Sequence, residues 1–299
     1  MLEDIRRVVV VGTGLLGASV GLGLRAGGYA GQIVGVGRTR PTLDEAEARG
    51  AIDRGVEDLA DAVTEVEGRL IVVLAVPVGG FDECFRRLSG LQRRGLYITD
   101  VGSTKASVAA AARRYLSQPQ FFVPAHPMAG SERSGPGAAD GSIFRGRPCV
   151  LCPGPDTDDA AKASVEAMWR GLGCEVCEMT PDEHDRQVAG VSHLPHLLAV
   201  LLALTADDMG PLDLGSTGFR DTSRLALSNP PMRRDIVMAN RKPIGEALDR
   251  FASRLNELRG IVRKGNAEAL MEMLEEAQRI RGDWHSEAGE ATAKETAEP

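Results

Sequence analysis

A glycine-rich hexapeptide, Gly12-Thr13-Gly14-Leu15-Leu16-Gly17, follows directly on an apolar run at residues 7–11 and leads into a stretch of small and aliphatic residues. A strand that turns through three glycines into a helix is compatible with few folds. The glycines permit a tight turn, close approach of the backbone to a ligand and close helix–sheet contact, and the unpaired N–H groups at the helix start attract negative charge. Behind a strand near the N-terminus, the motif predicts a Rossmann-like dinucleotide-binding domain with a pyrophosphate over residues 12–17.

The first ~180 residues support that fold, because strand and helix signals alternate in the βαβ manner that gives a parallel sheet. Strands are expected at 8–11, 33–36, 70–76, 97–100 and 121–125, followed by 149–151 and 175–177. Their cores are continuous apolar runs, as in strands buried on both faces. The pattern changes at Thr180-Pro181-Asp182-Glu183, a capping box with Pro at the first helical position. From there to about residue 281 no strand is expected. Ile244, Leu248, Phe251, Leu255, Leu258 and Val262 recur every three or four residues, a seam that packs on another helix of the same chain or of a partner. The fold class is therefore an α/β dinucleotide-binding domain at 1–180 plus an all-α dimerisation domain at 181–285. Residues 286–299 carry no large apolar side chain and are expected to be a disordered tail.

The end of the second predicted strand decides which dinucleotide fits. It reads Gly37-Arg38-Thr39-Arg40, without the carboxylate that would grip a ribose hydroxyl. Two arginines suit a 2′-phosphate, so NADP is expected, with NAD possible; two solvated arginines on a surface loop are the plainer alternative. Val76-Pro77 closes another strand on the same side of the sheet and is expected to touch the cofactor.

Four further segments carry chemistry. Asp100-Val101-Gly102-Ser103-Thr104-Lys105 and His126-Pro127-Met128-Ala129-Gly130-Ser131 follow strand ends, where a parallel sheet opens its ligand crevice. Ser103 could simply cap the next helix, and a lone histidine is usually structural. In the helical half, Ser192-His193-Leu194-Pro195-His196 puts two histidines on one face beside a proline that breaks the helix ladder. Phe219-Arg220-Asp221-Thr222-Ser223-Arg224 sets two arginines four apart, either in surface ion pairs or as a clamp for a carboxylate substrate.

Taken in order, Gly12-x-Gly-x-x-Gly17, Asp100-Val-Gly-Ser-x-Lys105, His126-Pro-Met-Ala-Gly130, Ser192-His-Leu-Pro-His196 and Phe219-Arg-Asp-Thr-Ser-Arg224 resemble the prephenate/arogenate dehydrogenase family of tyrosine biosynthesis. The resemblance implies oxidative decarboxylation of prephenate: hydride passes from the carbinol carbon to the nicotinamide, and loss of CO2 aromatises the ring to 4-hydroxyphenylpyruvate. It implies that His126 takes the hydroxyl proton as general base, that Ser103 orients it, and that His196 and Arg224 hold the substrate carboxylates with His193 nearby. Ser131, Glu132 and Arg220 would line the pocket, and the helical domains would form a homodimer. Arogenate dehydrogenase is the alternative, since no side chain in the sequence distinguishes a keto from an amino group. Some relatives carry Trp in a Pro-x-Met-Trp-Arg-Asp segment, whereas this chain has Pro230-Pro231-Met232-Arg233-Arg234-Asp235, putting a charge in the indole's place. Hydroxyacid dehydrogenases with a helical partner domain usually rely on a lysine there, and a nucleotide sensor has no use for the histidine pair.

Composition narrows the partners. A formal net charge of −7 argues against nucleic acid, which needs excess Lys and Arg. Uninterrupted apolar runs stop short of the ~20 residues that span a bilayer, so no membrane partner is expected. The opening Met1-Leu2-Glu3-Asp4-Ile5-Arg6-Arg7 lacks a signal-peptide layout, and a cytoplasmic protein is expected. Cys149-x-x-Cys152 and Cys174-x-x-Cys177 resemble zinc knuckles, but both lie in strand-like runs where i and i+3 point to opposite faces. Reduced thiols and no metal are expected.

Overall fold

The computed structural model describes residues 2–64, 66–131 and 133–295. It divides into two compact units, one ending at Ile244 and the other beginning at Gly245.

The first unit opens with β1 (Ile5–Val11), α1 (Leu15–Ala26), β2 (Gln32–Val36), α2 (Arg40–Ala48), β3 (Arg54–Val56), α3 (Leu59–Val63), β4 (Arg69–Leu74), α4 (Phe81–Ser89), β5 (Leu96–Asp100), α5 (Ala106–Tyr115) and β6 (Phe122–Val123). The six strands form one sheet in the order β3-β2-β1-β4-β5-β6, with every pairing parallel. Both faces are covered: Val8 and Val10 of β1 pack with Ile33 and Ile71 on one side, and Val9 and Val11 pack with Val34, Val72 and Phe81 on the other. Each such side chain contributes about 1.5–3 kcal/mol on burial, which explains why these strands read as unbroken apolar runs. The winding direction reverses between β1 and β4, and ligands bind beyond strand ends at such a switch point.

Two expectations about strands are corrected. Three-residue β3 was not expected, because Arg54–Val56 offers no apolar run. The strand expected at 121–125 is two strands. Pro124 cannot donate to a ladder, and beyond it β7 (Ala125–Pro127) leaves the parallel sheet. It pairs antiparallel with β8 (Arg147–Leu151), which pairs parallel with β9 (Cys174–Glu178) after the intervening α6 (Asp159–Gly171). Residues 149–151 and 175–177 therefore belong to this second, three-stranded sheet. It is backed by α6 through Met168 and Trp169, both fully buried.

The capping box forms as read: the Thr180 hydroxyl accepts from the Glu183 N–H, and the Glu183 carboxylate accepts from the Thr180 N–H. It starts α7 (Pro181–Val188), a π-turn at Ala189–His193 and α8 (Leu194–Asp208), with α9 (Thr217–Ser223) and α10 (Pro230–Ala239) beyond. The first unit thus continues past residue 180. By length and composition alone, Pro181–Asp208 is long and apolar enough to cross a membrane, although no uninterrupted apolar run within it reaches ~20 residues.

The division between units falls within α11 (Arg241–Lys264), and α12 (Ala267–Glu295) follows. In the second unit Leu255 and Val262 of the seam, and Met271, Leu274 and Ile280 of α12, are more than half exposed, so part of the seam and part of α12 stay uncovered in a single chain. Residues 286–295, expected to be disordered, continue α12, as their Ala/Glu-rich composition favours; residues 296–299 lie outside the described residues.

Candidate active site

The glycine turn is shaped by close packing on one side and openness on the other. Gly12 has φ +94°, and a Cβ there would lie 2.5 Å from the Ala75 carbonyl oxygen; a Cβ on Gly17 would lie 1.9 Å from the Gly12 carbonyl oxygen. Gly14, which caps α1, faces open space, and no side chain caps the helix. A ligand can therefore approach bare backbone at a helix start, where the N–H groups and the helix dipole favour an anion. Buried Thr13 adds a hydroxyl oxygen with no partner among the described residues. Leu15 and Leu16 form the first turn of α1. Val76 lies close to Gly12, with Cγ1 3.0 Å from the Cβ position there, and Pro77 is exposed beside it. These features fit the pyrophosphate of a dinucleotide.

At the end of β2 the two arginines differ. Arg38 is exposed and makes no hydrogen bond or ion pair among the described residues. Arg40 is committed to its own helix, pairing with Asp44 at 2.6 Å and Glu47 at 2.8 Å and donating to the Gly55 carbonyl. Thr39 caps α2 by position, its hydroxyl lying 2.9 Å from that of Thr42. Of the two arginines expected at a phosphate, Arg38 is thus unpaired among the described residues and Arg40 is engaged within α2.

His126 sits on β7 over a buried ion pair. Lys105 and Asp100, both fully buried, pair with each other. Lys105 Nζ donates to the Ala125 carbonyl at 2.6 Å, and Asp100 Oδ1 accepts from the Ala125 N–H at 2.9 Å. The residue before His126 is thereby held at both backbone groups. Burial pushes the Asp100 carboxyl up against the opposing pull of Lys105.

The imidazole is oriented from another element. His126 Nδ1 lies 2.8 Å from His184 Nε2, and His184 Nδ1 lies 2.8 Å from Asp185 Oδ1. Asp185 also accepts from the N–H groups of Lys105 at 2.7 Å and Ala106 at 3.0 Å. An ionised carboxylate only accepts, so His184 donates from Nδ1. With both rings neutral, its Nε2 then receives the His126 Nδ1–H. His126 Nε2 is left with its lone pair. Burial and the nearby His184, Lys105 and His193 hold His126 well below its ordinary pKa, which keeps the ring neutral at pH 7 and able to accept a proton.

A second group of side chains lines a cavity of about 320 Å³, with His193, His196, Ser228 and Arg233 among aliphatic residues such as Leu197 and Val200. Asn240 Nδ2 donates to the Asp185 carbonyl at 2.8 Å and lies 3.1 Å from His193 Nδ1. His193 Nδ1 is therefore an acceptor, and its Nε2–H is a buried donor with no partner among the described residues. Burial first, then Arg233 and the neighbouring His184 and His196, brings its pKa down to about 4 against the opposing pull of Asp185. His196 has the opposite tautomer: Nδ1 donates to the Ser192 carbonyl at 2.8 Å, leaving Nε2 as acceptor. Burial lowers its pKa too, as do the charges of Arg233 and Arg224. The histidine pair thus offers the cavity one donor and one acceptor.

The remaining expected residues are placed less tightly. Ser103 is half-buried after β5 and bonds neither His126 nor any other described residue; α5 is capped by Asp185 instead, so Ser103 does not cap it either. The expectation that Ser103 orients His126 is corrected to His184, which lies within bonding distance of the ring. Arg224 begins the turn Arg224–Leu227, whose Leu225 and Ala226 line the cavity. Arg220 is exposed and paired with Asp221 at 3.0 Å, away from the cavity lining. Ser131 is exposed, its hydroxyl accepting from the Arg133 N–H, and Glu132 lies outside the described residues. Sequence reasoning missed His184, Asp185 and Asn240. The only signal for the first two was that a capping box puts them in the first turns of α7.

Residues 20–178 match the family model described as "Prephenate dehydrogenase, nucleotide-binding domain", and residues 180–276 match "Prephenate dehydrogenase, dimerization domain". The chain is 32% identical over 283 residues to a prephenate dehydrogenase of Bacillus subtilis, covering 92% of this chain and 75% of that protein. Its structure is similar to that of a prephenate dehydrogenase from Aquifex aeolicus in complex with hydroxyphenyl propionate and NAD+, with TM-score 0.87, 31% identity and coverage of 93% and 98%. It is also similar to an arogenate dehydrogenase from Synechocystis, with TM-score 0.77, 28% identity and coverage of 93% and 99%.

Proposed function

The chain belongs to the prephenate dehydrogenase family and is an NAD(P)-dependent oxidoreductase, and on that premise we propose that it converts prephenate to 4-hydroxyphenylpyruvate in tyrosine biosynthesis, with NADP as oxidant. The observation that carries this reading is the His126–His184–Asp185 chain, with His126 Nδ1 2.8 Å from His184 Nε2 and His184 Nδ1 2.8 Å from Asp185 Oδ1, which leaves the His126 Nε2 lone pair to act as base. The dinucleotide, held by Gly12–Gly17, Thr13 and Val76, supplies the hydride acceptor. His126 takes the proton of the ring hydroxyl as the carbinol carbon is oxidised, and the developing imidazolium is stabilised through His184 by the Asp185 carboxylate. Ser103, free of capping duty, is available to the same hydroxyl. His193 Nε2–H donates to a substrate oxygen, His196 lies beside it, and Arg224 draws a carboxylate toward the cavity. Release of the ring carboxyl as CO2 then makes the ring aromatic.

NADP is proposed over NAD because the β2 end has no carboxylate to be repelled and Arg38 is unpaired among the described residues. NAD is the second reading, favoured by the commitment of Arg40 to Asp44 and Glu47. Arogenate is the second substrate, favoured by the similarity to the Synechocystis enzyme. A homodimer is proposed through the helical part, supported by the matched dimerisation domain and the exposed apolar side chains of α11 and α12. A cytoplasmic location is proposed with it, supported by five cysteines that are all unbridged. Assay of prephenate and arogenate, each with NAD and NADP, tests the reading. Highest kcat/KM for prephenate with NADP is expected, and turnover of neither acid would refute it.

A further inference from the structure

On the cavity wall, one charge has no counterpart among the described residues. Arg233 and Arg234 are neighbours on α10, yet Arg234 points to solvent and pairs with Asp235 at 2.7 Å. Arg233 shares a face with Ile236 and Val237, which line the same cavity. It is half-buried, its Nε is fully buried without a partner, and it makes no hydrogen bond or ion pair among the described residues. Burial lowers its pKa from the ordinary guanidinium value. A guanidinium that gives up hydration without a counter-charge is costly, and its five donors in a planar fork match a carboxylate. None of the described residues lining the cavity carries a carboxylate. Among the described residues the cavity thus supplies a cation, one histidine donor and one histidine acceptor, and no carboxylate to balance a second positive charge.

Resting on the function proposed above, we propose that Arg233 is a substrate-binding residue that pairs with the side-chain carboxylate of a 2-oxo acid and disfavours the corresponding 2-ammonio acid. Prephenate and arogenate both present that carboxylate. Arogenate adds an ammonium one carbon away, which would lie beside the guanidinium with no carboxylate among the described lining residues to offset it. Preference for prephenate therefore comes from repulsion of the competitor as well as attraction.

The test compares the full-length wild-type protein with Arg233→Met and Arg233→Lys. For prephenate, Arg233→Met is expected to raise KM about 10- to 100-fold with kcat within about threefold. Arogenate loses much less, so the ratio of the two kcat/KM values narrows by about tenfold or more. Arg233→Lys keeps most of the preference. Calorimetric binding of 3-(4-hydroxyphenyl)propionate and of uncharged 4-ethylphenol provides an arm independent of turnover: Arg233→Met weakens the first and spares the second. The melting temperature of Arg233→Met holds or rises, since an unpaired buried charge is removed. Equal losses for both acids, equal losses for both phenols, or no loss would overturn the assignment. If the wild type turns over neither acid but binds the propionate through Arg233, the function is refuted and the Arg233 assignment stands.

Discussion

The cofactor cradle and the histidine cavity sit in one unit of the molecule yet are built in opposite ways. The cradle is made by leaving atoms out: Gly12 and Gly17 bring backbone against backbone, and Gly14 opens a helix start to a ligand. The cavity and the base beside it are made by burying polar atoms and fixing where each proton lies. Asp185 sets His184, His184 sets His126, Asn240 sets His193, and the Ser192 carbonyl sets His196. Damage should follow the same division. In the cradle a substitution harms by adding a methyl group; around the histidines it harms by removing a lone pair or a proton.

Three substitutions sharpen that contrast. Replacing His126 by Asn should lower kcat by about 100-fold or more with cofactor affinity near normal, as for loss of a general base. Stopped-flow hydride transfer and cofactor titration check it, and a raised KM with kcat intact would reverse the role. Gly17→Ala should weaken cofactor binding by about 100-fold, because its methyl collides with the Gly12 carbonyl and must push the turn apart; fluorescence titration measures this, and unaltered affinity would break the contrast. The smallest effect is that of Arg38→Ala, with KM for NADP raised about tenfold and KM for NAD hardly changed. Equal changes for both cofactors would remove Arg38 from the phosphate site.

Legibility in the sequence divides along the same line. The cradle is a local arrangement, so six consecutive residues and the strand before them were sufficient to predict it. His126 was legible from its place behind a strand, and the shared face of His193 and His196 from helical spacing. The partners that set their protons were not. Asp185 caps α5 across 79–80 residues of chain, a contact no local pattern encodes, and it displaced Ser103 from the role that a serine there usually fills. Arg40 pairs with residues four and seven further on, Asp44 and Glu47, an engagement within its own helix that the strand-end motif does not show. Pro124 did mark the break between the two sheets, but the apolar run on either side concealed it.

The central claim is that His126 is a neutral base with its lone pair on Nε2. Long-range proton–nitrogen NMR correlation of the histidine rings tests it directly. At pH 7 His126 should show a protonated Nδ1 and an unprotonated Nε2, and it should stay neutral as the pH is lowered past 6.5, since burial holds its pKa well below that value. A proton on Nε2 with Nδ1 bare, or an imidazolium already formed at pH 7, would contradict the account.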